Sequence, residues 1–128
     1  MNNPLACGIA AILGLLGVAL GAFGAHGLQG VLEANHTVEV WRTAVLYHLV
    51  HAVMLYVVAG RTPLRAFACW CFGAGIVLFS GSLYVLAITH LRWLGAITPF
   101  GGASFLAGWL CLAIGGLRGS KSGGEPPR

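Results

Sequence analysis

Four apolar runs dominate this chain, and each is long enough to cross a lipid bilayer. They cover about residues 4–25, 38–59, 66–89 and 95–117. A transmembrane helix needs roughly 20 apolar residues for a ~30 Å hydrocarbon core, so four crossings use most of the 128 residues. Inside lipid every backbone N–H and C=O must be paired, which leaves helices or a closed barrel. Membrane strands alternate polar and apolar residues; these runs do not. The reading is an all-α membrane protein, a four-transmembrane-helix bundle.

Charge and composition agree. Only 8% of the residues are charged and 58% are hydrophobic, whereas a soluble domain carries roughly a quarter charged residues. Disorder is excluded as well, because it needs few apolar residues and many charges. The first run has no Lys or Arg ahead of it and exceeds a usual ~7–15-residue signal-peptide core, so it is read as a retained span. Residues 1–118 are expected to form one membrane domain, and 119–128, rich in Ser, Gly, Pro and charge, a disordered cytoplasmic tail.

The net charge of +4 comes from basic residues standing singly, without the patch that nucleic acid requires. They set orientation instead. Arg61, Arg65, Arg118, Lys121 and Arg128 fall on one side, and Arg42 and Arg92 on the other. Both termini are therefore expected to be cytoplasmic. Between spans 1 and 2, Leu28, Val31 and Leu32 recur at helical spacing, which predicts a short outer helix lying in the interface. Thr37 or a neighbour would cap the second span, with Glu39 near its positive dipole end.

Small residues predict close packing. Ala10, Gly14, Gly17, Gly21 and Gly24 recur three or four apart along span 1, and Gly17-x-x-x-Gly21 admits a neighbouring backbone. Gly73 and Gly81 in span 3, and Gly101, Gly102 and Gly108 in span 4, are further contact points.

Ionisable groups are costly in hydrocarbon, so they mark where chemistry would lie. Tyr47, His48 and His51 share about a 100° arc of span 2. Ser80, Ser82 and Tyr84 stand at similar depth in span 3. A buried hydrogen-bonded cluster joining spans 2 and 3 is expected, its histidines acting as interhelical ties. Two sharper readings compete with that one. His48 and His51 could share a metal, but His26, the candidate third ligand, stands about 15 Å away along the helix axis. A proton relay suits histidine, yet no intramembrane Asp or Glu accompanies the pair.

Cys7, Cys69, Cys71 and Cys111 are scattered, and Cys69 and Cys71 point about 200° apart on a helix. No metal or other cofactor is expected. At the outer face, Glu39 and Arg42 form an i,i+3 pair that is either structural or a mouth for an anionic headgroup. Thr98-Pro99-Phe100-Gly101-Gly102 either opens helix four, with Pro99 in its first turn, or breaks it and frees carbonyls for a ligand. Trp41, Trp93 and Tyr84 are candidate interface anchors. The chain carries no phosphate loop, nucleophile elbow or paired carboxylates, and an enzyme is not expected.

Four blocks carry a resemblance over nearly the whole chain: Gly21-Ala22-Phe23-Gly24-Ala25-His26-Gly27; Tyr47 with His51; Leu78-Phe79-Ser80-Gly81-Ser82-Leu83-Tyr84; and Thr98-Pro99-Phe100-Gly101-Gly102 leading to Phe105-Leu106-Ala107-Gly108-Trp109. Together they resemble the YgdD-type family of small bacterial inner-membrane proteins, a domain of unknown function with a small eukaryotic transmembrane relative. The resemblance implies about four spans in the bacterial inner membrane and transfers no catalytic or binding residues. It also implies that the position of His48 can be Gln, which centres the polar tie on His51. His26, Tyr47, His51, Ser80, Ser82, Thr98 and Pro99 become the residues expected to matter in any shared role.

The expected function is that of a non-enzymatic multi-pass subunit, either accessory to a larger membrane complex or self-associating. Its partners would be the lipid bilayer and a membrane protein, with no nucleic acid. The first alternative is a carrier or channel for a small solute or lipid that uses the His/Tyr/Ser cluster. The second is a metal- or haem-binding membrane subunit.

Overall fold

The computed structural model describes residues 3–61 and 66–121, with side chains through Arg118. Among these residues the chain is all helical, with no strand. The helices are α1 (Pro4–Ala25), α2 (Gln29–Ala34), α3 (Val38–Ala59), α4 (Ala66–Gly75), α5 (Ser82–Thr89) and α6 (Thr98–Lys121). A π-helical segment, Ile76–Gly81, joins α4 to α5, and a 3₁₀ turn, Arg92–Ala96, precedes α6. Four stretches are long and apolar enough to span a membrane: Pro4–Ala25, Val38–Ala59, Ala66–Thr89 and Arg92–Arg118.

Local chemistry sets the helix ends. Pro4 opens α1, where its missing N–H costs nothing. Asn3 caps it, Oδ1 accepting from the Ala6 N–H at 3.2 Å. His36 and His90, both with positive φ, terminate α2 and α5 in the left-handed conformation usually taken by glycine.

Three details differ from the sequence expectation. α6 starts at Thr98 rather than near residue 95, because Arg92–Ala96 tightens into the 3₁₀ turn. At its other end α6 continues to Lys121, three residues into the segment expected to be a free tail. Thr37 stands at the N-cap of α3, yet its side chain makes no cap bond; its hydroxyl is drawn instead to a carbonyl of α5. The expectations for Arg65 and for the tail beyond Lys121 lie outside the described residues.

α3 is the central helix. Trp41, Ala44, His48, His51, Ala52, Leu55, Val58 and Ala59 form its buried stripe, which packs on α1 and on the third span. The third span lies between α3 and α6. The main core joins Ala10, Ala52, Leu55, Val58, Ala68, Phe72, Ile76 and Phe105. A second core joins Leu32, Trp41 and Ala87, so α2 closes that end of the bundle.

Because lipid is as apolar as leucine, close fit and hydrogen bonds hold such helices together. Gly101 lies against the backbone of Phe79, Gly75 against the Phe105 ring, Gly108 against Phe72, and Gly24 against the Trp41 indole. On α1 the buried small residues are Ala10, Gly17 and Gly24, seven apart. Gly21 touches Val45 at the edge of that contact, while Gly14, expected to pack, faces open space. α1 is apolar all round, so its sequence carries no moment that would fix its rotation.

Candidate functional site

The polar residues of the spans do not form one cluster. They separate into fixed ties between different helix pairs.

His51, buried on α3, reaches α6. Its Nδ1 lies 2.7 Å from the Tyr47 carbonyl, one turn earlier on the same helix. Its Nε2 accepts from the Trp109 indole N–H at 3.1 Å. The indole can only donate and the carbonyl can only accept, so the ring is neutral with its proton on Nδ1. It also stacks on Phe105, centroids 3.5 Å apart and 10° from parallel. Phe72 completes the enclosure. Tyr47 contributes its carbonyl to this tie. Its ring is exposed and rests on Phe79.

His48 faces the other way. Its Nδ1 is 3.1 Å from the Tyr84 hydroxyl on α5. Its Nε2 is buried against the α1 backbone at Leu13 without completing a hydrogen bond. Tyr84 packs on Trp41, whose indole N–H donates to the Leu20 carbonyl of α1 at 3.0 Å. His48 and His51 therefore do not converge on a common point. Among the described residues, no group of three or more His, Cys, Asp or Glu side chains is placed to hold a metal ion.

The serines use opposite faces of the third span. Ser80 donates to the Ala44 carbonyl of α3 at 2.8 Å. Ser82 donates to the Phe79 carbonyl at 3.0 Å and lies 2.8 Å from the Thr98 hydroxyl of α6. Two residues on, the helix has turned by roughly half a revolution, which lets these near neighbours tie both flanking helices. Thr98 and Pro99 lie in the first turn of an unbroken α6, so the stretch opens the helix.

At the α2 end of the bundle stands a clamp that sequence reasoning missed. Thr37 donates to the Ala87 carbonyl at 2.8 Å. The Asn35 amide donates to the carbonyls of Ala87 and Ile88 at 3.1 and 3.0 Å. These carbonyls lie in the last turn of α5, where helical partners run out. An Asn and a Thr beside a span end were the available signal, but their partners lie some fifty residues away. His26 is exposed nearby. Glu39 and Arg42 pair at 2.6 Å with side chains 81% and 71% exposed; such surface pairs contribute little stability.

Beside that pair lies a crevice of 450 Å³ between α1, α2 and α3. Gly21, Gly24 and Ala25 form one wall, Val45, Leu46 and Leu49 the other, and Gln29, Glu33 and Arg42 also line it.

Comparison with known proteins points to one group. The family described as "Protein of unknown function (DUF423)" matches residues 20–102. The chain is 45% identical over 116 residues to the UPF0382 membrane protein YwdK of Bacillus subtilis (strain 168), covering 86% of this chain and 94% of that protein. It is 46% identical over 110 residues to the UPF0382 membrane protein SH2409 of Staphylococcus haemolyticus (strain JCSC1435), covering 83% and 89%. No solved structure matches.

Proposed function

The chain belongs to the DUF423 family of membrane proteins of unknown function, and on that premise we propose that it is a non-enzymatic structural subunit, joined side by side to a larger membrane complex or to copies of itself. We place it in the bacterial inner membrane with both ends cytoplasmic, as the distribution of Lys and Arg favours.

One observation carries the reading: among the described residues, α1 presents an exposed face that is rich in small residues. Its buried face is Ala10, Gly17 and Gly24. By the 100° helical step, Gly8, Ala11, Ala19 and Ala22 lie on the opposite face with Leu15 among them, and all five are exposed. A Cβ added to Gly8 would meet no atom within 4 Å. Small residues at such spacing let a second helix approach closely. The carrier reading draws on polar groups that are committed to fixed ties, His51 above all, and ranks below it for that reason.

The test is the mass of the particle purified from native membranes in mild detergent, by light scattering, with mass spectrometry of its components. A stoichiometric complex or a defined oligomer supports the proposal, provided Gly8→Leu and Ala19→Leu disperse it while the chain stays folded. A monodisperse monomer overturns it.

A further inference from the structure

The crevice between α1, α2 and α3 combines features that the packing of the bundle leaves unused. Its walls are apolar and one is made of small residues, so a narrow groove remains where larger side chains would have closed it. On α3, positions 42, 45, 46 and 49 line it at i, i+3, i+4 and i+7, a stripe running about 10 Å along the helix axis. Its deep end is closed where Gly17 meets Leu49. Its volume falls within the range of small-molecule sites.

The other end is polar and carries both signs of charge. Arg42 uses an N–H toward Glu39, and its guanidinium has five in all. Glu33 accepts from the Gln29 amide at 2.8 Å through Oε1, and an ionised carboxylate has further acceptor positions. All three side chains are exposed. Arg42 lies in the first two turns of α3, and Gln29 and Glu33 lie on α2, which links the ends of two candidate spans. The groove is thus apolar along its length, with a guanidinium and a carboxylate at one end.

We propose that this crevice is a binding site for a zwitterionic phospholipid bearing a phosphate and a primary ammonium. Arg42 takes the phosphate by charge-assisted hydrogen bonds, and Glu33 with Gln29 takes the ammonium. One acyl chain lies between Gly21 and Leu46. An anionic lipid without the ammonium leaves Glu33 without a counter-charge and its own phosphate uncompensated beside it, and that disfavours it.

The experiment is native mass spectrometry of the full chain in mild detergent, stripped of lipid and then titrated separately with phosphatidylethanolamine, phosphatidylglycerol and phosphatidylcholine. Phosphatidylethanolamine is expected to be retained over phosphatidylglycerol on the order of five-fold. Glu33→Gln should abolish that preference, and Arg42→Gln should weaken all three lipids. Gly21→Leu should block the groove, with Gly14→Leu, which meets open space, as the control. Both charged positions are exposed, so their variants test the proposal even if Gly21→Leu fails to fold. Equal or stronger retention of phosphatidylglycerol, an unchanged preference in Glu33→Gln, or a second copy of the chain retained in place of lipid would each overturn it.

Discussion

The Trp109 indole donates its N–H to Nε2 of His51 at 3.1 Å, and that one bond fixes both the tautomer of the histidine and its charge. A proton on Nε2 would break it. His51 is thereby a neutral strut between α3 and α6, held flat on Phe105. Trp109→Phe removes the donor and keeps most of the ring. We expect it to cost about 0.5–1.5 kcal/mol, the scale of hydrogen bonds between membrane helices. His51→Ala also leaves a cavity, so its cost should reach about 2–4 kcal/mol. Thermal unfolding of both single variants and the double variant in detergent measures the coupling. A coupling of zero would show that the two side chains do not bond.

Glycine replacements should rank by what the new methyl group meets. At Gly101 it meets the Phe79 backbone, which cannot step aside. At Gly24 it meets the Trp41 indole, anchored by its bond to Leu20. At Gly17 it meets the end of the Leu49 side chain, which can swing away. We expect Gly101→Ala and Gly24→Ala to cost about 1–3 kcal/mol, Gly17→Ala less, and Gly14→Ala nothing measurable. A large loss at Gly14 would mean that α1 is rotated from the orientation described.

The clamp on α5 should behave as a local device. Asn35→Ala with Thr37→Val removes the donors to Ala87 and Ile88, at a cost of about 1 kcal/mol per lost bond. The readout is amide hydrogen exchange. Residues 28–37 should exchange faster, while the core around Phe72 stays protected. Unchanged exchange in 28–37 would show that burial of Leu32 alone holds α2.

Orientation follows from the positive charges. A reporter fused after Arg118 is expected to be active on the cytoplasmic side, and one inserted at Gly30 on the other side. The opposite pattern would invert the topology.

Much of the fold could be read from the chain. Spans of this length and apolarity admit helices and little else, and Leu28, Val31 and Leu32 announced α2. Rotation could not be read. In a helix that is apolar all round no face announces the core, so nothing in the sequence ranked Gly24 above Gly14, or marked Gly75 as the seat of Phe105. The polar residues were found, and His48 with Tyr84 and Ser80 with Ala44 join spans 2 and 3 as expected, but the partners on α6, Trp109 and Thr98, were not. Tyr47, His48 and His51 share an arc, yet His48 reaches α5 and His51 reaches α6, because α3 is buried on several sides. The π segment carries no composition that would set it apart from its neighbours.

That segment, Ile76–Gly81, inserts one residue more per turn than an α-helix holds. The α5 half of the third span is therefore out of phase with its α4 half. Inserting a single further residue there would leave length and hydropathy almost unchanged, and the chain would still be read as a four-span protein. It would nevertheless turn α5 by about 100°, carrying Tyr84 away from His48 and Ala87 away from Thr37. In this protein, residue count through the π segment is itself a structural specification, invisible to any measure of average hydrophobicity.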